Sequence, residues 1–206
     1  GDALVSNKYE TLALLPQGAI VGTSSLRRMC QVRHQRPDLE VRSLRGNVET
    51  RLRKLDEGEY DAIILAVAGL KRLELAERIR QVLPQEQMLP AIAQGIIGIE
   101  TRANDENTTR FLQRLPYTDT LACLTAERTV MAMLEGNCHV PLAGYCTLHA
   151  EELFLRARIG SPDGTQLLHA EERAPRTEAQ ALGERVANAL RAQGGQAILD
   201  EFRTAP

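Results

Sequence analysis

Residues 62–70, "AIILAVAGL", are the longest apolar run in the chain. A strand with one face in water alternates apolar and polar residues, so an unbroken run indicates a strand that is buried on both faces of a parallel sheet. The run is also much shorter than the ~18 apolar residues of a membrane-spanning helix. It therefore predicts an α/β fold with this strand inside the sheet.

The segments around this run alternate between strand and helix patterns. Strands are predicted at residues 18–25 and 39–46, and each is followed by a helix, the first ended by Pro37 and the second begun by Asn47 as its N-cap. An amphipathic helix is predicted at residues 71–83. The succession β-α-β-α-β-α is typical of a parallel sheet with right-handed crossovers.

A linker follows, beginning near Pro84 and Pro90. We predict an apolar strand at residues 91–100 and a helix at residues 105–115, ended by Pro116. One strand and one helix cannot form a domain, so we expect them to complete a sheet whose other strands lie elsewhere.

From Thr118 the pattern changes to that of a smaller α+β domain. A helix over residues 118–134 precedes three short strands, and "SPDG" at residues 161–164 joins the last two with typical hairpin residues. The closing helix carries a T-x-x-Q capping box at Thr177 and Gln180. Its apolar stripe consists of Ala179, Leu182, Val186 and Leu190. The expected sheet is three-stranded and antiparallel.

The charge, the choice of basic residues and the cysteine spacing indicate which classes of ligand and which redox compartment suit this chain. The net charge is −2 and aromatic residues make up 3% of the chain, which disfavours a nucleic-acid binder. Only 3 of the 25 basic residues are Lys, so 22 are Arg, the residue suited to bidentate binding of carboxylate or phosphate groups. The four cysteines show no CxxC spacing or disulfide-scaffold density, which fits a reducing cytosol.

Arginines cluster where the predicted strands end. "GTSSLRR" at residues 22–28 places Arg27 and Arg28 in the first turn of a helix, and "RSLRG" adds Arg45 at the end of the next strand. Ligands of open α/β sheets collect at the carboxyl ends of the strands, so these residues and Arg51 could converge on one polyanion. Solvated helix arginines remain the alternative on spacing alone.

Cys138 lies in a Gly/Pro-punctuated loop, "LEGNCHVPLAGYC". A metal site with His139, Cys146 and His149 would have no common zinc spacing. The two other hypotheses are a loop cysteine without a function and a nucleophilic or covalently modified thiol near a helix end.

Several long motifs carry a family resemblance. "VGTSSLRR", "RSLRGNVETRLRKLDEGEYDAIILAVAGLKRL", "LPAIAQGIIGIE" and "LEGNCHVPLAGY" closely resemble the porphobilinogen deaminase family of haem biosynthesis, along essentially the whole chain. Two positions depart from the family pattern: Asn137 replaces the usual Gly before the cysteine, and Ile96 replaces a small Ala. Neither change removes a reactive group.

The resemblance implies a transferase that deaminates porphobilinogen and polymerises four units on a dipyrromethane primer to give hydroxymethylbilane. Cys138 matches the cysteine that carries this dipyrromethane cofactor through a thioether. Nine residues match the family's contacts to cofactor and substrate carboxylates: Arg27, Arg28, Arg45, Arg51, Arg72, Thr23, Ser25, Gly46 and Gln94. No metal is implied.

The resemblance also implies a domain plan. Residues 1–89 match an α/β domain with a parallel or mixed sheet, similar to a type II periplasmic-binding-protein lobe, and residues 117–206 match the α+β domain with the cofactor cysteine. Residues 90–116 would be a hinge and a returning segment of an incomplete first domain. The family's catalytic aspartate would precede Gly1, so we expect this chain alone to be inactive.

The expected partners are porphobilinogen and a complementary N-terminal fragment of the same protein, with no nucleic acid and no membrane. The enzyme is expected to be a cytoplasmic monomer. A non-catalytic anion-binding module is the alternative function, since periplasmic-binding-protein lobes have the same architecture. The complete motif around Cys138 favours the enzyme.

Overall fold

The computed structural model describes residues 1–115, 118–134 and 140–204. Five strands form the first sheet: β1 (Asp2–Val5), β2 (Ile20–Gly22), β3 (Glu40–Arg42), β4 (Ala62–Ala66) and β5 (Ile79–Leu83). Their order is β3-β2-β4-β1-β5. β2 pairs in parallel with β3 and β4, as predicted, whereas β1 is antiparallel to both of its neighbours. The sheet is therefore mixed.

The apolar run forms the centre of this sheet, with side chains buried on both faces. Ala62 and Ile64 belong to the core on one face, and Ile63 and Leu65 to the core on the other. Strand β4 ends at Ala66, where the remainder of the run turns into a helix. The prediction of a doubly buried strand is confirmed for its first five residues.

Three helices follow strands of this sheet: α1 (Leu26–Gln35), α2 (Val48–Asp56) and α3 (Val67–Arg72). Asn47 caps α2 as predicted, because its side chain accepts a hydrogen bond from the Thr50 amide at 2.8 Å. Ser25 caps α1 in the same way, through the Arg28 amide. Both helices begin at the carboxyl ends of their preceding strands.

The helix predicted at residues 71–83 is wrong. Helix α3 ends at Arg72, Glu74 adopts a left-handed φ of 59°, and residues 79–83 form strand β5. Exposed and less exposed side chains alternate along β5, so one face of this strand is more exposed than the other. The strand lies at an edge of the sheet. The local sequence also has the apolar period of a helix, but residues 79–83 form a strand because they pair with β1, which is distant in sequence.

The strand predicted at residues 91–100 is also wrong, since this segment forms turns and irregular backbone. Ala93 has a left-handed φ of 59°, and Ile97 and Ile99 are 89% and 58% exposed. A strand needs a partner, and no strand of the described residues pairs with this segment. The neighbouring helix is confirmed as α4 (Glu106–Leu112), capped by Asp105.

The second sheet and its helices form the remaining architecture. The elements are α5 (Thr118–Met133), β6 (Leu142–His149), β7 (Glu152–Gly160), β8 (Leu167–Pro175), α6 (Ala179–Ala192) and α7 (Gly195–Thr204). The sheet is antiparallel with the order β6-β7-β8, as predicted. Helix α7 was not predicted.

The stripe of α6 is confirmed, since Leu182, Val186 and Leu190 are fully buried and Ala179 is 7% exposed. The capping box is wrong, because a short 3₁₀ turn over Arg176–Glu178 precedes α6. The N-cap of the helix makes no side-chain capping hydrogen bond.

Helix α1 packs against the turn between β7 and β8. Arg33 Nη1 donates to the Pro162 carbonyl at 2.5 Å, and His34 Nδ1 lies 3.1 Å from the Gly164 carbonyl. Gly164 has a φ of +77°, and a Cβ built on it would lie 2.4 Å from the Arg33 Cβ. Only glycine fits here, so this contact holds α1 against the second sheet.

No helix in the described ranges is long and apolar enough to cross a membrane.

Candidate carboxylate-binding site

Asp2 and two consecutive arginines form a buried cluster at the start of α1. Asp2 is 0% exposed, and its two oxygens accept from Arg27 Nη1 at 2.7 Å and from Arg28 Nη2 at 2.7 Å. Arg28 Nε also donates to Asp2 at 3.1 Å. Two guanidinium groups against one carboxylate leave the cluster with one positive charge. Buried charges of this kind require partners, so an anion is favoured beside it.

The charge state of the cluster follows from its contacts. Burial by itself would raise the pKa of Asp2, but the adjacent charges of Arg27 and Arg28 and their hydrogen bonds lower it below its usual value. Burial lowers the pKa of Arg27, and the charge of Asp2 opposes this shift. A guanidinium remains protonated in proteins, so the cluster keeps its positive charge at neutral pH.

Gln94 connects this cluster to the linker. Its side-chain oxygen accepts from Arg27 Nη2 at 3.0 Å, and its nitrogen donates to Asp2 at 3.2 Å. Arg27 Nη1 also donates to the Leu89 carbonyl at 2.8 Å. Arg27 Nε is buried and has no hydrogen-bond partner. The cluster therefore contains one strong donor that the described residues leave unused.

A cavity of about 240 Å³ lies against these side chains. It is lined by Ser25, Arg27, Arg28, Ala91, Gln94, Val140 and Leu142. Elements distant in sequence thus meet here: the start of α1, the linker, and the chain just before and within β6. A pocket that combines apolar walls with a few charged donors suits an organic carboxylate.

Thr23 and Ser25 support the start of α1. Thr23 is buried, and its hydroxyl accepts from the Ser25 amide at 3.2 Å. The Thr23 amide donates to the Arg42 carbonyl at 3.0 Å, which ties the end of β2 to the end of β3. Thr23 thus shapes the turn, whereas Ser25 lines the cavity.

Arg45, Gly46 and Arg51 lie at the neighbouring strand end. Arg51 Nε donates to the Gly46 carbonyl at 2.8 Å, and Gly46 has a left-handed φ of +122°. Burial and the charge of Arg28 lower the pKa of Arg51, so these two guanidinium groups are close enough to repel each other. Arg45 is exposed. The structure thus joins Arg27 and Arg28 through Asp2 and places Arg51 near Arg28.

Arg72 ends α3 and is exposed. Within residues 1–115, the structure records no hydrogen bond or ion pair between Arg72 and another predicted site residue. Arg45 and Arg72 are the two arginines of the predicted set for which the described residues show no connection to the cluster.

Cys138 lies outside the described residues, as do His139 and Asn137. The described chain resumes at Val140, which lines the same cavity as Arg27 and Arg28. No group of three His, Cys, Asp or Glu within the described residues could hold a metal ion. Burial raises the pKa of the Cys146 thiol far above its usual value, which opposes the thiolate form that a metal ligand needs.

Sequence reasoning missed two acidic residues that organise the site. Asp2 is one, and its signal was an acidic residue at the head of a strand that is otherwise entirely apolar. Glu127 of α5 is the other: it is buried and accepts from the amides of Ala93 at 2.7 Å and Cys146 at 2.8 Å. It thereby fastens the linker beside β6. A charged residue within the apolar region of α5 was the only sequence signal for it.

Ile96, the second departure from the family pattern, lines a separate cavity of about 440 Å³ between the linker, α5 and β6. Its side chain does not line the cavity beside Arg27 and Arg28.

Comparison with known families gives two matches. Residues 1–110 match the family model "Porphobilinogen deaminase, dipyromethane cofactor binding domain", and residues 121–192 match "Porphobilinogen deaminase, C-terminal domain". Together they cover both sheets and the cluster of Asp2, Arg27 and Arg28. The family acts in tetrapyrrole biosynthesis, uses porphobilinogen as its substrate and binds a dipyrromethane cofactor. With its basic cavity and both matching segments, the chain belongs to the porphobilinogen deaminase family of transferases.

Proposed function

We propose that this chain is part of a transferase that deaminates porphobilinogen and joins four units into hydroxymethylbilane. In this proposal, Cys138 carries the dipyrromethane primer through a thioether. The observation that carries the proposal is the buried arginine pair, with one positive charge in excess, in a cavity that Val140 also lines. Val140 is two residues from Cys138, so a group attached to that thiol would begin close to these donors.

The residues present fit a dipyrromethane. Each of its pyrrole units bears an acetate and a propionate, and the cavity offers an unused donor on Arg27 beside apolar walls. Arg27 would bind one carboxylate beside the charge of Arg28, and Arg51 and Arg45 would bind others at the neighbouring strand end. When bound, the cofactor supplies the free pyrrole carbon to which the substrate is joined. Gln94 and Ser25 would orient the carboxylates at the cavity wall, and Thr23 would hold Ser25 in place.

Arg72 and Gly46 have more distant roles in this proposal. The exposed guanidinium of Arg72 would bind carboxylates of the growing chain as its negative charge increases. Gly46, through its left-handed backbone, would present its carbonyl to Arg51 and so fix that side chain.

Proton transfer requires a group outside this cluster. Asp2 is fully buried, and its lowered pKa keeps it ionised, so it is a poor general acid. We therefore propose that a carboxylate from a complementary segment of the protein handles protons, and that the chain alone does not sustain turnover. The exposed side chains of Ile97 and Ile99 support the same view, since apolar linker residues left in water are typical of a surface that another segment covers.

The domain plan and the setting complete the proposal. Residues 1–89 would act as the cofactor-binding domain, residues 90–116 as the hinge and returning segment, and residues 117–206 as the domain with the cofactor cysteine. We propose a monomeric enzyme in the cytoplasm.

Variants of the cysteines test the proposal in the complete enzyme that contains this chain. Cys138→Ala is expected to abolish both the Ehrlich colour reaction of the bound primer and the formation of uroporphyrin after acid oxidation. Cys123→Ala is the matched control, because Cys123 is the least buried cysteine of the described residues, and it should retain both. Normal turnover by Cys138→Ala would refute the proposal. Carboxylate binding without any primer in the unaltered enzyme would favour an anion-binding module instead.

The 206-residue chain alone should give no sustained turnover in the uroporphyrin assay. Continuous formation of uroporphyrin by the chain by itself would contradict the proposed need for a complementary segment.

A further inference from the structure

We propose that Asp2 is a positioning residue for ligand binding, whose carboxylate fixes two guanidinium groups so that one edge of Arg27 is left for a ligand carboxylate. The inference rests on the proposed function, since it takes Arg27 as a ligand-binding residue. Asp2 itself would not touch the ligand.

Asp2 first occupies the Nε–Nη2 edge of Arg28. One carboxylate oxygen accepts from Arg28 Nε at 3.1 Å and from Nη2 at 2.7 Å, while Arg28 Nη1 donates to the Ile64 carbonyl at 3.1 Å. Every nitrogen of this guanidinium therefore has a protein acceptor. Arg28 contributes charge to the site and holds Asp2, and Asp2 already takes its Nε–Nη2 edge, the edge used for a side-on bidentate contact.

Asp2 holds Arg27 differently. Its other oxygen accepts from Nη1 at 2.7 Å, and the Leu89 carbonyl accepts from the same nitrogen. Nη1 is thus saturated, and Asp2 accepts from neither Nε nor Nη2, the two nitrogens that form the side-on edge. Only the neutral Gln94 oxygen accepts from this edge, at Nη2, and Nε is left without a partner.

This free edge matches a carboxylate. Nε and Nη2 are the pair of parallel donors that arginine presents to a carboxylate in a side-on bidentate contact. An ionised ligand oxygen is a stronger acceptor than the Gln94 amide and can replace it at Nη2, while the second ligand oxygen satisfies Nε. The cavity that Arg27, Gln94 and Ser25 line provides the approach.

The charge balance sets the number of ligand groups. Two guanidinium groups and one Asp2 carboxylate carry one net positive charge, so one ligand carboxylate makes the buried cluster neutral. A second carboxylate of the same pyrrole unit would then be bound elsewhere, at the strand end with Arg51. Asp2 thus selects a single carboxylate in a fixed orientation.

Side-chain NMR on the wild-type chain tests the geometry directly. With ¹⁵N-labelled arginine, porphobilinogen is expected to shift the Arg27 Nε–H resonance and to leave that of Arg28 in place, each assigned with the Arg27→Lys and Arg28→Lys variants. A shift of Arg28 without a shift of Arg27 would overturn the inference. If neither resonance moves, the proposed carboxylate site itself is wrong, and this inference fails with it.

Variants at Asp2 test the positioning role by calorimetric titration with porphobilinogen. Asp2→Asn loses one acceptor, so a guanidinium is released, and the affinity should fall about tenfold or more. Asp61→Asn is the control: Asp61 accepts from the Ile20 amide at 2.8 Å away from the site, and its loss should leave the affinity unchanged. An Asp2→Asn chain that is folded and binds like wild type would overturn the inference, while normal binding of porphobilinogen through Arg27 would leave the proposed function intact.

Chemical rescue covers the case in which Asp2→Asn does not fold. Asp2→Ala leaves space for a small carboxylate, so sodium formate, below the concentration at which it competes in wild type, should restore both folding and porphobilinogen affinity. Sodium chloride at equal ionic strength should not. Affinity of Asp2→Ala that does not depend on formate would contradict the positioning role.

Discussion

Arg45 offers a clean test of ligand binding at the strand end, because removing its side chain should disturb the free protein little. Arg45 is exposed, and within the described residues it forms no ion pair. Replacing it by leucine should therefore change the free energy of unfolding by no more than ~0.5 kcal/mol. Any loss of ligand affinity can then be attributed to the lost contact.

The size of that loss follows from exposure. A charge-assisted hydrogen bond is worth ~1.5–3 kcal/mol when it is shielded from water, and an exposed ion pair only ~0.2–1 kcal/mol. A ligand that partly covers Arg45 places the contact between these limits, near ~1.4 kcal/mol, or about tenfold in affinity. Arg45→Lys should recover only part of it, because lysine lacks the bidentate fork.

Calorimetric titration of the chain with porphobilinogen measures this loss, with Arg53→Leu as the matched control. Arg53 is also exposed, but it pairs with Glu57 at 2.6 Å at the end of α2. The control removes the same charge from a residue outside the predicted site, so it should leave the affinity for porphobilinogen nearly unchanged. Wild-type affinity of Arg45→Leu would refute the assignment of Arg45, and equal losses in both variants would indicate long-range charge rather than contact.

Three further predictions concern the framework of the site. Gly164→Ala should destabilise the chain more than Gly58→Ala in urea unfolding. Both positions have a left-handed φ, which costs ~1–2 kcal/mol for other residues, but only at Gly164 would the new Cβ meet Arg33. Equal losses of unfolding free energy in the two variants would contradict this packing. Glu127→Gln should lower the unfolding free energy by ~1–3 kcal/mol, because one of two backbone amides loses its acceptor. An unchanged midpoint of thermal unfolding would contradict this expectation. Because the folded pKa of Asp2 is lowered, its stabilisation is complete above the unfolded pKa of about 3.8 and is lost as the pH falls through the folded value. The stability difference between wild type and Asp2→Asn should therefore be constant near neutral pH and shrink in acid, and a difference that shrinks on going from pH 5 to pH 7 would refute this.

The parts of the fold that depend on local patterns could be predicted from the sequence. The unbroken apolar run predicted the central strand β4, and Asn47 predicted the start of α2, because both signals involve residues that are close in the chain. The errors at residues 71–83 and 91–100 have one cause, which is that each segment's structure depends on whether a partner strand is available. β1 provides that partner for β5, and none of the described strands does so for the linker. Neither fact can be deduced from an apolar run itself.

In the candidate site, too, the features that depend on local sequence were predicted and those that depend on long-range pairing were missed. Arg27 and Arg28 were predicted because they follow a strand and begin a helix, and this placement needs only local structure. Asp2 was missed because antiparallel insertion of β1 beside β4 brings it to α1, across 25 positions of sequence from Arg27. Long-range pairing, rather than residue chemistry, therefore determined which arginines are buried.

The position of the cofactor tests the account most directly. We expect peptide mapping by mass spectrometry of the complete enzyme to find the mass of a dipyrromethane on the peptide that contains Cys138, with the peptides of Cys30, Cys123 and Cys146 unmodified. The adduct should disappear from the intact mass of Cys138→Ala. A dipyrromethane on any of the other three cysteines, or an active enzyme with four unmodified cysteines, would contradict the account.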